Sequence, residues 1–128
     1  MDNIALSVLE GTRELLSNKN RWTAYCSAKD AEGMSVSPND PKACCWCLMG
    51  ALIKVSHDTG APQQIIACRT SEFTACDYLH QSIQDVASAH KWPKRAVPSD
   101  VNDILGYEAV MRLIEIAISR VKRISFEI

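Results

Sequence analysis

The run KACCWCLMGAL, Lys42 to Leu52, sets Cys44, Cys45 and Cys47 around Trp46. Thiols so spaced admit four chemistries. Cys44 and Cys47 have the C-x-x-C spacing of half a zinc site, and Cys76 with His80, one helical turn apart, would supply the other half. Both pairs fall inside helical patterns, whereas structural zinc ligands usually sit on a knuckle or loop, and no second C-x-x-C follows. A disulfide is the second option, and a reducing compartment opposes it. The third is a reactive thiol, with His57, His80 or His90 as its base. That needs a depressed pKa, from a helix N-terminus or a basic neighbour, and a base within reach. The fourth is packing, since a free cysteine behaves as a small hydrophobe. The run is apolar on nearly every side, which favours packing. No bound metal and no cofactor are expected.

The elements that would carry these residues are mostly helical. Residues 3–17 read as an amphipathic helix, with Ile4, Val8, Leu15 and Leu16 on one face. Residues 21–37 alternate, and Lys29 to Gly33 looks like a turn, so a small β-hairpin is expected there. Asp40 and Pro41 form a helix-start signal, which places a central apolar helix at about 41–55. HDTGAP, residues 57–62, breaks the chain before a short helix to about Arg69. Ser71 then caps a longer helix to about Lys91. Val110, Met111, Ile114, Ala117, Ile118 and Val121 mark a last helix at about 106–124. The predicted architecture is α+β and predominantly α-helical: four to five helices around the 41–55 helix, with one small hairpin at 21–37, in a single domain spanning 1–128.

Composition excludes some functions. The chain has 128 residues, 14 basic and 15 acidic, for a net charge of −1. A nucleic-acid binder built on a basic surface would carry an excess of positive charge. Two small basic clusters exist, Lys91, Lys94 and Arg95, and Arg120, Lys122 and Arg123. The second falls at a helix C-terminus, where cations complement the helix dipole. No apolar run approaches the ~20 residues of a membrane helix. The N-terminus does not read as a signal peptide. A cytoplasmic setting is expected, with no membrane partner.

Arg21-Trp22-Thr23, Gly33, Trp46-Cys47-x-x-Gly50-Ala51-Leu52 and Asn102-Asp103 occur in that order. The pattern resembles an uncharacterised family of small bacterial, phage and prophage proteins, over about residues 10–124. Members often carry a tryptophan before the Asn-Asp pair, where this chain has Val101. The resemblance implies a mobile-element setting and no particular mechanism. It also singles out Trp22, Cys47, Asn102 and Asp103 as residues of separated segments that could share a cleft. Asp103 would then be an acid/base or ligand-binding carboxylate, Cys47 a wall or nucleophile, and Trp22 a stacking platform. Alternatively all four determine the fold, with Trp22 packed on the central helix and Asn102-Asp103 capping the last one.

The leading expectation is a small accessory protein of phage or mobile-element type. It would act without catalysis, by binding a protein and modulating or inhibiting host or defence machinery. A small enzyme or ligand binder using a Cys47/Asp103 cleft is the alternative. A homodimer joined through Trp46 or the Ser125 to Ile128 segment is the third.

Overall fold

A computed structural model describes residues 2–61, 74–90 and 96–127. Helix α1 spans Asp2–Leu16, α2 Leu48–Thr59, α3 Ala75–His90, α4 the single turn Pro98–Asp100, and α5 Tyr107–Glu127. A two-stranded antiparallel sheet pairs β1, Ala28–Lys29, with β2, Cys45–Trp46. The protein is thus α+β and mainly helical.

The helical stripes make the core. Val8, Leu9 and Leu16 of α1 are fully buried, as are Leu48, Ala51 and Leu52 of α2. Leu79 and Ile83 of α3 meet Val110, Leu113, Ile114, Ala117 and Val121 of α5 in the same cluster. Each leucine, isoleucine or valine among them contributes about 1.5–3 kcal/mol on burial. α1 packs against both α2 and α5, and α3 packs on α5. Tyr107 ties the start of α5 to the end of α1, its hydroxyl donating to the Leu16 carbonyl at 2.6 Å. Arg13 and Glu115 pair across the same helices at 3.0 Å, but both side chains are exposed and add little.

Two elements differ from the sequence reading. The Asp40-Pro41 signal makes a turn and not a helix. The Asp40 carboxylate accepts from the Lys42 amide at 2.8 Å, and its carbonyl accepts from the Ala43 amide at 2.9 Å. With the turn closed, the chain continues extended, and the Cys44 amide donates to the Lys29 carbonyl. The helix therefore begins at Leu48, and Cys47 is its N-cap. The expected hairpin is the second difference. Its turn is present, because the Asp30 carboxylate accepts from the amides of Glu32 and Met34, both at 2.9 Å. The return strand makes only one bridge, Lys29 to Ser35, and the regular ladder goes to Cys45–Trp46 instead.

At α3 the described cap is Thr74. Its hydroxyl accepts from the Asp77 amide while the Asp77 carboxylate accepts from the Thr74 amide. That reciprocal pair satisfies two otherwise orphaned donors. The expected Ser71 cap, the short helix from Pro62 and the cluster Lys91, Lys94 and Arg95 lie outside the described residues, as does Ile128. No helix among the described residues is long and apolar enough to cross a membrane.

Candidate functional site

Asn102 is almost completely buried, at 1 % exposure. It sits in a wide helical turn, Val101–Leu105, closed by an i→i+5 bond from the Gly106 amide to the Val101 carbonyl at 3.0 Å. Such wide helical turns are rare and tend to occur at functional positions. Each hydrogen-bonding position of the Asn102 amide is filled. Its Oδ1 accepts from Trp22 Nε1 at 2.7 Å and from the Leu48 amide at 2.9 Å. Its Nδ2 donates to the Thr23 carbonyl at 3.1 Å and to Asp103 Oδ1 at 2.9 Å. An asparagine side chain offers two donors and two acceptor lone pairs, so this one is saturated. One side chain thereby ties together three segments distant in sequence.

The α2 N-terminus is built around the same group. Helix starts leave the first amides without partners. Here Asn102 takes the Leu48 amide, and Cys47 Sγ accepts from the Gly50 amide at 3.2 Å. The Cys47 amide donates to the Ser27 carbonyl at 3.1 Å. That carbonyl runs so close to Gly50 that a Cβ there would overlap its oxygen. Trp46 beside the cap is buried, and its Nε1 donates to the Pro38 carbonyl at 2.9 Å. The W-C-x-x-G-A-L element is thus a strand end, a thiol cap, a close backbone crossing and two core residues in succession.

Asp103 reaches the other way. Its Oδ1 accepts from the Tyr25 amide at 2.9 Å. Tyr25 has φ +67° and is the one non-glycine residue with positive φ among the described residues. A left-handed conformation costs an L-residue roughly 1–2 kcal/mol, so this carboxylate contact helps hold a strained position. The Tyr25 side chain is 80 % exposed, and Ile104, next to Asp103, is 70 % exposed. A cavity of about 210 Å³ is bordered by Tyr25, Cys26, Ser27, Cys47, Asn102 and Asp103. Met49 and Ser99 complete its wall.

Of the four residues that could share a cleft, Cys47, Asn102 and Asp103 border the cavity. Trp22 is not in the cavity wall. Its ring stands edge-on to Tyr107, with centroids 5.8 Å apart, and its indole N–H is committed to Asn102. Asn102 caps α2 and not the last helix, while Asp103 holds the Tyr25 backbone. Burial, reinforced by the nearby Asp103 and Cys26, pushes the Cys47 thiol above its ordinary pKa, although the Gly50 and Met49 amides oppose this. A thiol kept protonated is a poor nucleophile. Trp46, offered as a dimer contact, has its ring inside the core.

All five described cysteines, Cys26, Cys44, Cys45, Cys47 and Cys76, are free thiols. Among the described residues no three His, Cys, Asp or Glu side chains stand together as a metal site.

The family model settles what the motifs belong to. The chain is a member of the family of unknown function DUF6197. The match runs over residues 2–120 and so takes in all three segments joined at Asn102. No curated protein and no solved structure matches the chain.

In this DUF6197 protein, sequence reasoning missed Tyr25, Ile104 and Ser27. A lone tyrosine gives no sign of positive φ, because glycine and asparagine are the usual occupants. Ile104 fell between the Asn102-Asp103 pair and the last helix and carried no signal of its own. The signal for Ser27 was Gly50, whose missing side chain implies a close backbone neighbour without naming it.

Proposed function

We propose that this protein is a small non-catalytic accessory protein that binds a protein partner through the face formed by Tyr25, Asp103 and Ile104. The setting implied by the resemblance is a phage or mobile element, where such a protein would modulate or inhibit host or defence machinery. One observation carries the binding reading: an exposed tyrosine, held in a strained backbone conformation by Asp103, borders a cavity, and the residue after Asp103 is an exposed isoleucine. Tyrosine is among the residues that dominate binding energy at interfaces, and its rigid ring loses little entropy on contact. Backbone strain persists where the surrounding structure enforces it, and such positions cluster at binding sites. The protonated, cap-forming Cys47 argues against the alternative of a thiol enzyme.

The test is affinity capture from a bacterial host lysate with three chains: wild type, Tyr25→Gly and Ile104→Asp. Glycine adopts the +67° conformation freely, so the first variant removes the ring and spares the backbone. The expected result is one protein retained by wild type and lost by both variants. Equal retention by all three would place the interface elsewhere.

A further inference from the structure

The cavity has a chemistry of its own. Asp103 Oδ1 is committed to the Tyr25 amide and to Asn102 Nδ2, both at 2.9 Å. Oδ2 has no hydrogen-bond partner among the described residues. The other lining residues are Cys26, Cys47, Ser27, Ser99, Met49, Tyr25 and Asn102, whose amide is saturated, with no basic side chain among the described residues of the wall.

Size and charge select the occupant. At about 210 Å³ the space falls below the ~300–1,000 Å³ of ordinary small-molecule pockets, so it suits one side chain and not a cofactor. An anion would be repelled by Asp103. A neutral apolar group would strip water from a carboxylate oxygen and return no partner, which is strongly unfavourable. A cation with N–H donors satisfies that oxygen. Met49 and the thiols offer soft apolar walls for an aliphatic stem, and the exposed Tyr25 ring stands at the rim for cation–π contact.

We infer that the cavity beside Tyr25 receives a basic side chain, lysine or arginine, from the protein partner, with Asp103 Oδ2 as its counter-charge; this rests on the binding function proposed above. The partner would insert the aliphatic stem past Tyr25 and place the ammonium or guanidinium against Asp103.

The experiment is a ¹⁵N NMR titration of the full chain at constant ionic strength. Three probes are used: the N-acetyl, N-methylamide derivatives of arginine, lysine and citrulline. Citrulline keeps the shape of arginine without its charge. The expected result is a saturable change in the resonances of the Tyr25 amide and the Asn102 side-chain amide with arginine or lysine and none with citrulline. Whichever basic probe binds more tightly identifies the source. In Asp103→Asn, an amide oxygen replaces Oδ1 and the charge is gone, so affinity falls about tenfold or more, as for loss of a charge-assisted hydrogen bond. The comparison of arginine with citrulline uses wild type alone, so it stands even if the variant folds poorly. Equal responses to citrulline, or no response to either basic probe, would overturn the inference. The probes read the cavity and the capture experiment reads the function, so each can fail without the other.

Discussion

Replacing Asn102 by aspartate changes one NH₂ group into an oxygen and leaves the shape intact. One carboxylate oxygen can still accept from Trp22 Nε1 and the Leu48 amide, at 2.7 and 2.9 Å in the native protein. The other would face the Thr23 carbonyl and Asp103 Oδ1, the native partners of Nδ2 at 3.1 and 2.9 Å. Two hydrogen bonds become two acceptor–acceptor contacts, one of them between carboxylates. At about 1–3 kcal/mol for each buried polar group left unpaired, and more where it is charged, the loss is about 4–6 kcal/mol near pH 7. That is a large part of the ~5–15 kcal/mol that holds a domain of this kind. It corresponds to a fall in Tm of about 15–25 °C.

The loss depends on pH, and its sign follows from the two carboxylates. Burial and the Asp103 charge raise the folded-state pKa of the introduced aspartate above its unfolded value of about 3.9. Its penalty is complete above the raised value and fades as pH falls towards 3.9, because the protonated acid regains an O–H donor. Every tenfold weakening of that acid in the folded state recovers about 1.4 kcal/mol on protonation. Urea denaturation of Asn102→Asp and wild type at pH 7 and pH 4.5 measures this directly. The difference is expected to be several kcal/mol at pH 7 and distinctly smaller at pH 4.5. A difference below ~1 kcal/mol at pH 7, less than one unpaired buried group costs, would show that Asn102 does not join the three segments.

Other expectations follow from the same geometry. Gly50→Ala should cost at least ~3 kcal/mol, because the Cβ meets the Ser27 carbonyl, a backbone atom that cannot swing away; near-native thermal stability would refute the close crossing. Cys47→Ser should keep the α2 cap, leave stability within ~1 kcal/mol and leave partner capture intact, whereas loss of capture would revive a direct thiol role. Because the Cys47 pKa is raised in the folded state, its contribution is complete below the ordinary thiol value of about 8.5 and is lost as pH rises above it. Alkaline destabilisation should therefore be weaker in Cys47→Ser than in wild type, and identical profiles would contradict the buried cap. Tyr25→Gly should change stability by less than ~1 kcal/mol, since relief of a left-handed residue offsets the entropy glycine adds to the unfolded chain; a large loss would mean that the ring packs.

Much of the helical framework was legible because apolar residues recur at helical spacing. The stripe from Val110 to Val121 reads directly as the buried face of α5. The stretch from Ala43 to Trp46 was not, because an apolar run has no period that separates helix from strand. Asp40-Pro41 suits a helix start and a turn equally, and only the pairing of Cys44 with Lys29, 15 residues before it, decides for the turn. That Trp22, Cys47, Asn102 and Asp103 could lie together was suggested by the family pattern. Their roles were not, since a capping asparagine is normally sought beside the helix it caps. Asn102 caps a helix 54 residues before it. The positive φ at Tyr25 was invisible in sequence, because the contact that helps hold it comes from a carboxylate 78 residues away.

The binding face is tested most directly by placing a photo-crosslinking benzoylphenylalanine at Ile104 and, in a second chain, at Lys122. Lys122 is exposed and lies fifteen residues along α5 from Tyr107, about 22 Å at 1.5 Å per residue. Irradiation in a bacterial host lysate should join position 104 to one protein and leave position 122 unattached to it, with the product lost in the Tyr25→Gly background. Crosslinking of the same protein at both positions, or at neither, would contradict a partner seated on the Tyr25–Asp103–Ile104 face.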